Sequence, residues 1–357
     1  MVSPAPHWMR RSRRHYLVRW RKRSQPRVLA PGRVVAGKPK VVFVLGATAT
    51  GKSKLAIALA ERFNGEVINA DKIQVHDGVP IITNKVTEEE KSGVPHHLLG
   101  VVHPDADFTA EEFRREAAGA VARVLSAGRL PVVAGGSNTY IEALVEGDGA
   151  AFRRARDLLF IWVDAERELL EWYAALRVDD MVARGLVDEA RASFAGDGAD
   201  YTRGVRRAIG LPEMHAYLAA EREGAAGAAE LAAMLDRAVR EIKENTFHLA
   251  RAQTEKIRRL SGLDGWDVRR VDVTPVFARK ADGGGAGDGD DTWKKLVWEP
   301  SEAMVRGFLQ ETTPAPPAAS VPTVVAAGRD DAGAVATAAT PDVAIAAGGG
   351  NATKNTV

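Results

Sequence analysis

Cysteine is absent from all 357 residues. Its absence excludes disulfide frameworks, thiolate nucleophiles, iron–sulfur clusters and cysteine-ligated zinc, so any metal must be bound by oxygen or histidine. The chain also lacks an apolar run near the roughly 18 to 20 residues that a membrane-spanning helix requires. With 45% hydrophobic and 27% charged residues, its composition is that of an ordinary globular protein. We therefore expect a sizeable core and no membrane partner.

Acidic residues are missing from the first 40 positions, which contain 12 of the 49 Lys and Arg residues. An Arg-rich, acid-free beginning is typical of an organelle transit peptide, and we predict such a leader over residues 1–38. A plastid is the first expectation and a mitochondrion the second. A solvated basic extension of a cytoplasmic protein is the alternative. The remaining chain carries 37 basic against 47 acidic residues, which argues against a nucleic-acid partner.

Apolar strand-length segments alternate with amphipathic segments from residue 39 to about residue 164. This alternation predicts an α/β fold with a P-loop NTPase-like parallel sheet flanked by helices, the first of them from Lys52 to Phe63. A mainly helical second half follows, with helices predicted near residues 166–184, 202–222 and 230–260. The catalytic domain is expected over residues 39–280. A Gly/Asp-rich linker over 281–292, a docking segment over 293–311 and a disordered Ala/Pro/Gly-rich tail over 312–357 complete the predicted organisation.

The sequence GATATGKS, residues 46–53, is a complete P-loop motif between a predicted strand and a predicted helix. Backbone amides of such a loop surround phosphate oxygens, the lysine adds a charge, and the hydroxyl that follows reaches Mg²⁺. We expect Mg²⁺ as the cofactor, with Ser53 as its ligand. The predicted phosphate-binding residues are Gly46, Ala47, Thr48, Ala49, Thr50, Gly51, Lys52 and Ser53.

Asp71 follows the second predicted strand and should lie beside the P-loop, at the edge where open α/β sheets bind ligands. Its carboxylate could act as a base, hold a metal or cap the loop. Asp164 ends another apolar strand at the same edge, so we predict that it contacts substrate.

Six blocks occur in order: GATATGKS, INADKIQVHDGVPIITNKVT, VPHHLLG, FTAEEFRREA, LPVVAGGSNTYIEAL and RRAIGLPE. Together they resemble the isopentenyltransferase family, which includes plant adenylate isopentenyltransferases and tRNA dimethylallyltransferases. The resemblance implies that dimethylallyl diphosphate occupies the P-loop, and that its five-carbon group is transferred to the N6 amine of an adenine across a channel.

The resemblance also implies individual roles. Asp71 matches the general base that takes a proton from the amine, and Thr83 matches a hydroxyl that fixes the same amine. Ser137 and Arg207 match residues that contact the diphosphate. Because Arg206 is adjacent, the matching arginine could also be Arg206, one residue earlier. Lys52 and Arg207 would stabilise the leaving group as the C1–O bond breaks. Lys85 is expected to meet a substrate phosphate, with a solvated loop charge as the alternative.

The acceptor is expected to be free ADP or ATP, with AMP possible and tRNA not expected. Members that modify tRNA carry a long insertion between the Gly-Gly-Ser segment and the strand that matches DLLFIWVD, whereas here only about twenty residues, including 140–156, separate the two. Eukaryotic tRNA enzymes often add a cysteine-containing zinc finger, which this chain cannot form. The alternatives are a tRNA dimethylallyltransferase and, more remotely, a P-loop small-molecule kinase.

Overall fold

A computed structural model describes residues 37–283 and 291–311 of the chain. Most of the predicted leader and linker, and the predicted tail, therefore lie outside the described residues. The strands are β1 (Lys40–Gly46), β2 (Gly65–Asn69), β3 (His96–His97), β4 (Leu130–Ala134), β5 (Asp157–Asp164) and β6 (Val268–Asp272). The helices are α1 (Lys52–Arg62), α2 (Glu88–Lys91), α3 (Ala110–Ser126), α4 (Asn138–Arg154), α5 (Arg167–Ala183), α6 (Leu186–Ala192), α7 (His215–Glu223), α8 (Ala228–Ser261), α9 (Thr274–Ala281) and α10 (Glu299–Gln310).

The six strands form one sheet in the order β3-β2-β4-β1-β5-β6, and every pair is parallel. The central strand β1 lies between β4 and β5, with Val44 opposite Ala134 and Gly46 opposite Val163. The carboxyl ends of β1, β2, β4 and β5 thus meet at one edge of the sheet, as expected for a ligand-binding edge. The predicted fold class is confirmed.

Alternate residues of β1 enter different cores on the two faces of the sheet, because successive side chains of a strand point to opposite sides. Val42 and Val44 pack in a cluster with Leu55 and Leu59 of α1. On the other face, Val41, Phe43 and Leu45 pack with helices α3 and α4. Because helices cover both faces of the sheet, the strands are continuous apolar runs. The same packing holds the loops at the strand ends in place.

A third core lies in the helical second half, where α5 to α8 pack together. It includes Met181, Met214 and Ile242, and the loop after β2 contributes Val79 and Ile82 to it. This loop therefore connects the sheet to the helical part.

One predicted helix is wrong in its first half. Residues 202–222 were expected to be helical, but α7 begins only at His215, after turns and a short 3-10 helix over Gly204–Arg207. The backbone at Gly204 (φ 51°) and Gly210 (φ 115°) is left-handed, and Pro212 follows. These conformations end a helix rather than continue one.

The last described stretch of the chain, residues 291–311, packs on the sheet. Val297, Val305 and Phe308 join the core that contains α1. Lys40 Nζ donates to the carbonyl oxygen of Phe308 at 2.6 Å and lies 4.5 Å from the centre of its ring. This part of the 293–311 segment thus contacts the beginning of β1.

Candidate active site

The P-loop after β1 forms an open anion cradle at the start of α1. Gly51 is the N-cap residue with φ 88°, its helix has no capping side chain, and no acidic residue lies in the first turn. By contrast, α3 begins with a full capping box from Thr109 and Glu112. No described side chain therefore caps the N–H groups of Lys52 and Ser53, and the positive end of the helix favours an anion there.

Close packing and strain shape this loop. A Cβ on Gly46 would lie 2.6 Å from the carbonyl oxygen of Val163, so only glycine fits there. Ala49 has a φ of 69°, a left-handed conformation that is costly for a residue with a side chain. Thr50 Oγ1 donates to Ala47 O at 2.9 Å. Such strain is typical of a backbone held in position for a ligand.

Lys52 lies at the first position of α1 and its Nζ donates to Ala47 O at 2.9 Å. Burial lowers the pKa of Lys52 from 10.5 to about 8, the charge of Asp71 raises it, and the charge of Arg177 lowers it further. Near pH 8 the ligand-free amine is thus only partly charged, and a bound anion would favour its protonation.

Asp71 uses one carboxylate oxygen to hold its own loop. Oδ1 accepts hydrogen bonds from Ile73 N at 2.9 Å and Gln74 N at 3.3 Å. The other oxygen, Oδ2, accepts none from residues 37–283 or 291–311. The capping role considered from the sequence is thus present, and it leaves one oxygen available for chemistry.

Thr83 and Lys85 contact each other on the loop between β2 and α2. The buried Thr83 Oγ1 donates to Val79 O at 2.8 Å and accepts from Lys85 Nζ at 2.9 Å. Lys85 also donates to Gly78 O at 2.8 Å. Burial lowers the pKa of Lys85, while the charges of Asp77, Glu189 and Asp71 raise it. Lys85 is therefore tied to the loop, and its contact with substrate phosphate stays a prediction.

Ser137 connects the loops after β2 and β4. Its Oγ accepts a hydrogen bond from Lys72 N at 2.8 Å. A Cβ on Gly135 would overlap the backbone of Ala70, so the two loops approach as closely as glycine allows. Ser137 lies at the predicted edge, and its contact with the diphosphate stays a prediction.

Arg206 and Arg207 have different surroundings. Arg206 Nε donates to Asp105 Oδ1 at 2.9 Å, whereas Arg207 Nε donates to a neighbouring carbonyl, Gly204 O, at 3.2 Å. The charge of Arg207 acts on Tyr140, whose pKa burial raises to about 12, and the charge of Asp71 acts on the same tyrosine. Arg207 Nη2 also lies 3.9 Å from Asp107 Oδ1, so each arginine has a carboxylate neighbour. The choice of Arg207 as the diphosphate contact stays a prediction.

Asp164 is buried at the end of β5, and its Oδ2 accepts from Arg270 Nε at 2.7 Å. Arg270 belongs to β6, a strand that the helical pattern of the second half did not predict. The carboxylate thus has a protein partner, and its contact with substrate stays a prediction.

Two further residues reach the P-loop without a motif to reveal them. Gln253 of α8 accepts a hydrogen bond from Thr48 N through its Oε1 at 2.7 Å. Arg177 of α5 acts on Lys52 through its charge, and burial lowers its own pKa. Both lie in long helices, where polar side chains are common, so no sequence pattern indicates either residue.

Comparison with known proteins agrees with this geometry. A family model described as IPP transferase matches residues 74–158 and 148–260. The relative named adenylate isopentenyltransferase 5, chloroplastic, from Arabidopsis thaliana is 50% identical over 274 residues, which cover 76% of this chain and 81% of the relative. Adenylate isopentenyltransferase 3, chloroplastic, from the same plant is 43% identical over 82% of this chain and 86% of the relative.

Solved structures share the fold. A eukaryotic dimethylallyltransferase acting on tRNA has a TM-score of 0.59 and 22% identity, with 76% of this chain and 79% of that chain covered. A tRNA isopentenylpyrophosphate transferase from Bacillus halodurans has a TM-score of 0.55 and 26% identity, with 76% and 100% covered. The resemblance seen in the motifs is confirmed: the chain belongs to the IPP transferase family.

Proposed function

We propose that this protein transfers the dimethylallyl group of dimethylallyl diphosphate to N6 of the adenine of ADP or ATP, with AMP as a further possible acceptor, in cytokinin biosynthesis. The observation that carries the proposal is the proximity of two groups at one sheet edge, an anion cradle with a half-buried lysine and a carboxylate that acts on this lysine through its charge. One oxygen of that carboxylate accepts no hydrogen bond from the described residues. Relatives at 43% and 50% identity are named adenylate isopentenyltransferases.

In the proposed reaction the bond between C1 of the allyl group and the diphosphate oxygen breaks, and a bond from N6 to C1 forms. The N6 proton passes to Asp71, which makes the delocalised amine a better nucleophile. Negative charge accumulates on the diphosphate, where Lys52, Arg207 and the N–H groups of α1 stabilise it. Thr83 would orient the amine and Ser137 the diphosphate.

Mg²⁺ suits the donor set of this site. No group of three or more His, Asp or Glu residues that could hold a metal occurs in the part of the chain that the structure describes. Mg²⁺ does not need one, since it keeps several waters and binds through one or two protein oxygens together with substrate phosphates. Ser53 Oγ at the second position of α1 would be its protein ligand, and the ion would neutralise charge on the diphosphate.

Free nucleotide is favoured over tRNA as the acceptor. Helix α4 ends at Arg154 and β5 begins at Asp157, so the chain passes directly between them. The insertion that the resemblance attributes to tRNA-modifying members has no room there. The competing function is a tRNA dimethylallyltransferase. It is favoured by two structural neighbours, a dimethylallyltransferase acting on tRNA and a tRNA isopentenylpyrophosphate transferase.

The test is a product assay with purified protein, Mg²⁺ and radiolabelled dimethylallyl diphosphate, offered AMP, ADP, ATP or unmodified tRNA in parallel. We expect label in ADP and ATP at the highest rates and none in tRNA. Label in tRNA alone would establish the competing function. Release of ADP from ATP without the prenyl donor would instead reveal a kinase.

We also propose that the protein acts in a plastid. The support is that its relatives include enzymes named chloroplastic and one named mitochondrial. As a separate finding, the described residues contain no candidate membrane-spanning helix. Residues 1–40 fused to a fluorescent protein should direct it to chloroplasts in leaf cells. Mitochondrial fluorescence would support the second expectation, and diffuse fluorescence would contradict both.

A further inference from the structure

Gln253 lies where α8 passes from one core to the other. Ala250, one turn before it, belongs to the cluster on the α1 face, and Ile257, one turn after it, belongs to the opposite cluster. The helix therefore crosses the carboxyl edge of the sheet at Gln253. This brings a polar side chain to the apex of the P-loop.

The contacts of Gln253 connect the loops after β1 and β4. Its Oε1 accepts from Thr48 N at 2.7 Å, and its main-chain oxygen accepts from Asn138 Nδ2 at 3.0 Å. A Cβ on Gly136 would overlap its Nε2, so the carboxamide also lies directly against the glycine loop. One residue of a distant helix thus touches both phosphate-side loops.

Other hydrogen bonds of the P-loop end on Ala47 O, which accepts from Thr50 Oγ1 and Lys52 Nζ at 2.9 Å each. Thr50 N lies 3.4 Å from Ala47 O, a long contact for a hydrogen bond. Thr48 N has Gln253 as its partner, and the next residue, Ala49, is in a left-handed conformation. A loop held in such a conformation needs contacts that specify it.

We propose that Gln253 is a positioning residue that fixes the P-loop apex through Thr48, so that the N–H groups from Ala49 onward are preorganised for the diphosphate. The hydrogen bond occupies the amide of Thr48, and the amides of Lys52 and Ser53 at the start of α1 are the ones assigned to the ligand. The structural part of this proposal is independent of the reaction, whereas its kinetic consequence rests on the proposed function.

The first test measures the loop without any substrate. Amide hydrogen exchange in the ligand-free protein is followed in a peptide that contains Thr48. Gln253→Met keeps the side-chain length but removes the acceptor, so exchange at Thr48 should become faster. Gln253→Glu keeps an acceptor and should preserve protection. Unchanged protection in Gln253→Met would overturn the proposal.

A matched control lies three residues along the same helix. Lys256 Nζ donates to Thr139 Oγ1 at 2.7 Å, a contact between α8 and α4 that does not involve the P-loop. Lys256→Met should leave exchange at Thr48 unchanged. If Gln253→Met loses its fold, Gln253→Asn, which is one methylene too short to reach Thr48, supplies the same comparison.

The second test measures binding of inorganic diphosphate by calorimetry and the KM of each substrate. In Gln253→Met the Kd of diphosphate and the KM of the prenyl donor should rise about 3- to 10-fold, the factor expected for one net hydrogen bond, with the nucleotide KM unchanged. Equal rises in both KM values would indicate general distortion and refute positioning. Because exchange and diphosphate binding need no turnover, they still decide the proposal if the transfer reaction is not found.

Discussion

Replacing Asp71 by Asn separates its capping role from its proposed role as a base. Oδ1 holds Ile73 N at 2.9 Å, and the Asn oxygen can accept the same hydrogen bond. What changes is the second oxygen, which becomes an NH₂ group that cannot take a proton. We therefore expect Asp71→Asn to fold normally and to bind nucleotide while losing turnover.

The expected loss in kcat is about 10²- to 10⁴-fold, the usual contribution of a positioned general base. A second effect follows from the charge of Asp71, which raises the pKa of Lys52. Without this charge the pKa of Lys52 falls below about 8, so a smaller fraction of the lysine is charged and diphosphate binding should weaken at pH 8. Steady-state kinetics with dimethylallyl diphosphate and ADP measures the first effect, and calorimetry with diphosphate measures the second.

Asp200 offers a matched control, since its Oδ1 accepts from Thr202 N at 2.9 Å in the same local turn but on an exposed loop. Asp200→Asn should have normal kcat and KM. If Asp71→Asn retained wild-type kcat with a normal melting temperature, Asp71 would be a cap alone and the assignment of the base would be wrong.

Three further predictions concern Lys52 and two packing sites. Diphosphate binding should weaken above pH 8, because Lys52 loses its proton there, and in Lys52→Arg calorimetry should show no such decline at pH 9 since arginine stays charged. Gly135→Ala should lower the free energy of unfolding by about 1 to 3 kcal/mol, because the new Cβ overlaps Ala70. At Gly307 a new Cβ meets nothing within 4 Å, so thermal denaturation of Gly307→Ala should show an unchanged melting temperature. Phe308→Ala should lower the free energy of unfolding by about 3 kcal/mol in chemical denaturation, since the residue is only 8% exposed. An unchanged denaturation midpoint would show that the packing of Phe308 in the 293–311 segment does not stabilise the fold.

The sheet core was predictable because its strands are buried on both faces. The segment DLLFIWVD is β5 over Asp157–Asp164 without adjustment, and the helix predicted over Lys52 to Phe63 is α1 to within one residue. A continuous apolar strand buries all of its side chains only when helices cover both faces of the sheet. The P-loop was also predictable from the sequence, because phosphate binding requires its glycines, lysine and serine at this fixed spacing.

The edge strand β6 was missed because it does not resemble the central strands. Its sequence VRRVD exposes both arginines, and only Val271 is buried. Such a charged segment at the edge of a sheet carries no apolar run or clear alternation. Because β6 was not predicted, its Arg270 was not recognised as the ion-pair partner of Asp164.

The site side chains on helices were hidden for a different reason. Gln253 and Arg177 matter because of what they meet across the fold, 205 residues along the chain in the case of Gln253 and Thr48. Helical periodicity reports which face is apolar, but it does not distinguish a polar residue that faces solvent from one that faces a loop. Only the tertiary arrangement separates these cases.

Hydrogen bonds connect the P-loop, proposed to hold the leaving group, with the loop of Asp71, the proposed base. Ser137 Oγ holds the loop that begins with Asp71 through Lys72 N at 2.8 Å, and the neighbouring Asn138 holds the main chain of Gln253, whose side chain holds Thr48. The contacts run from the loop after β2 to the loop after β4, then through α8 to the P-loop after β1. The distance between the phosphate cradle and the carboxylate is thereby set by short contacts rather than by flexible loops. Since transfer requires the amine to meet C1 while the diphosphate departs, a fixed spacing between these two groups is what the chemistry demands.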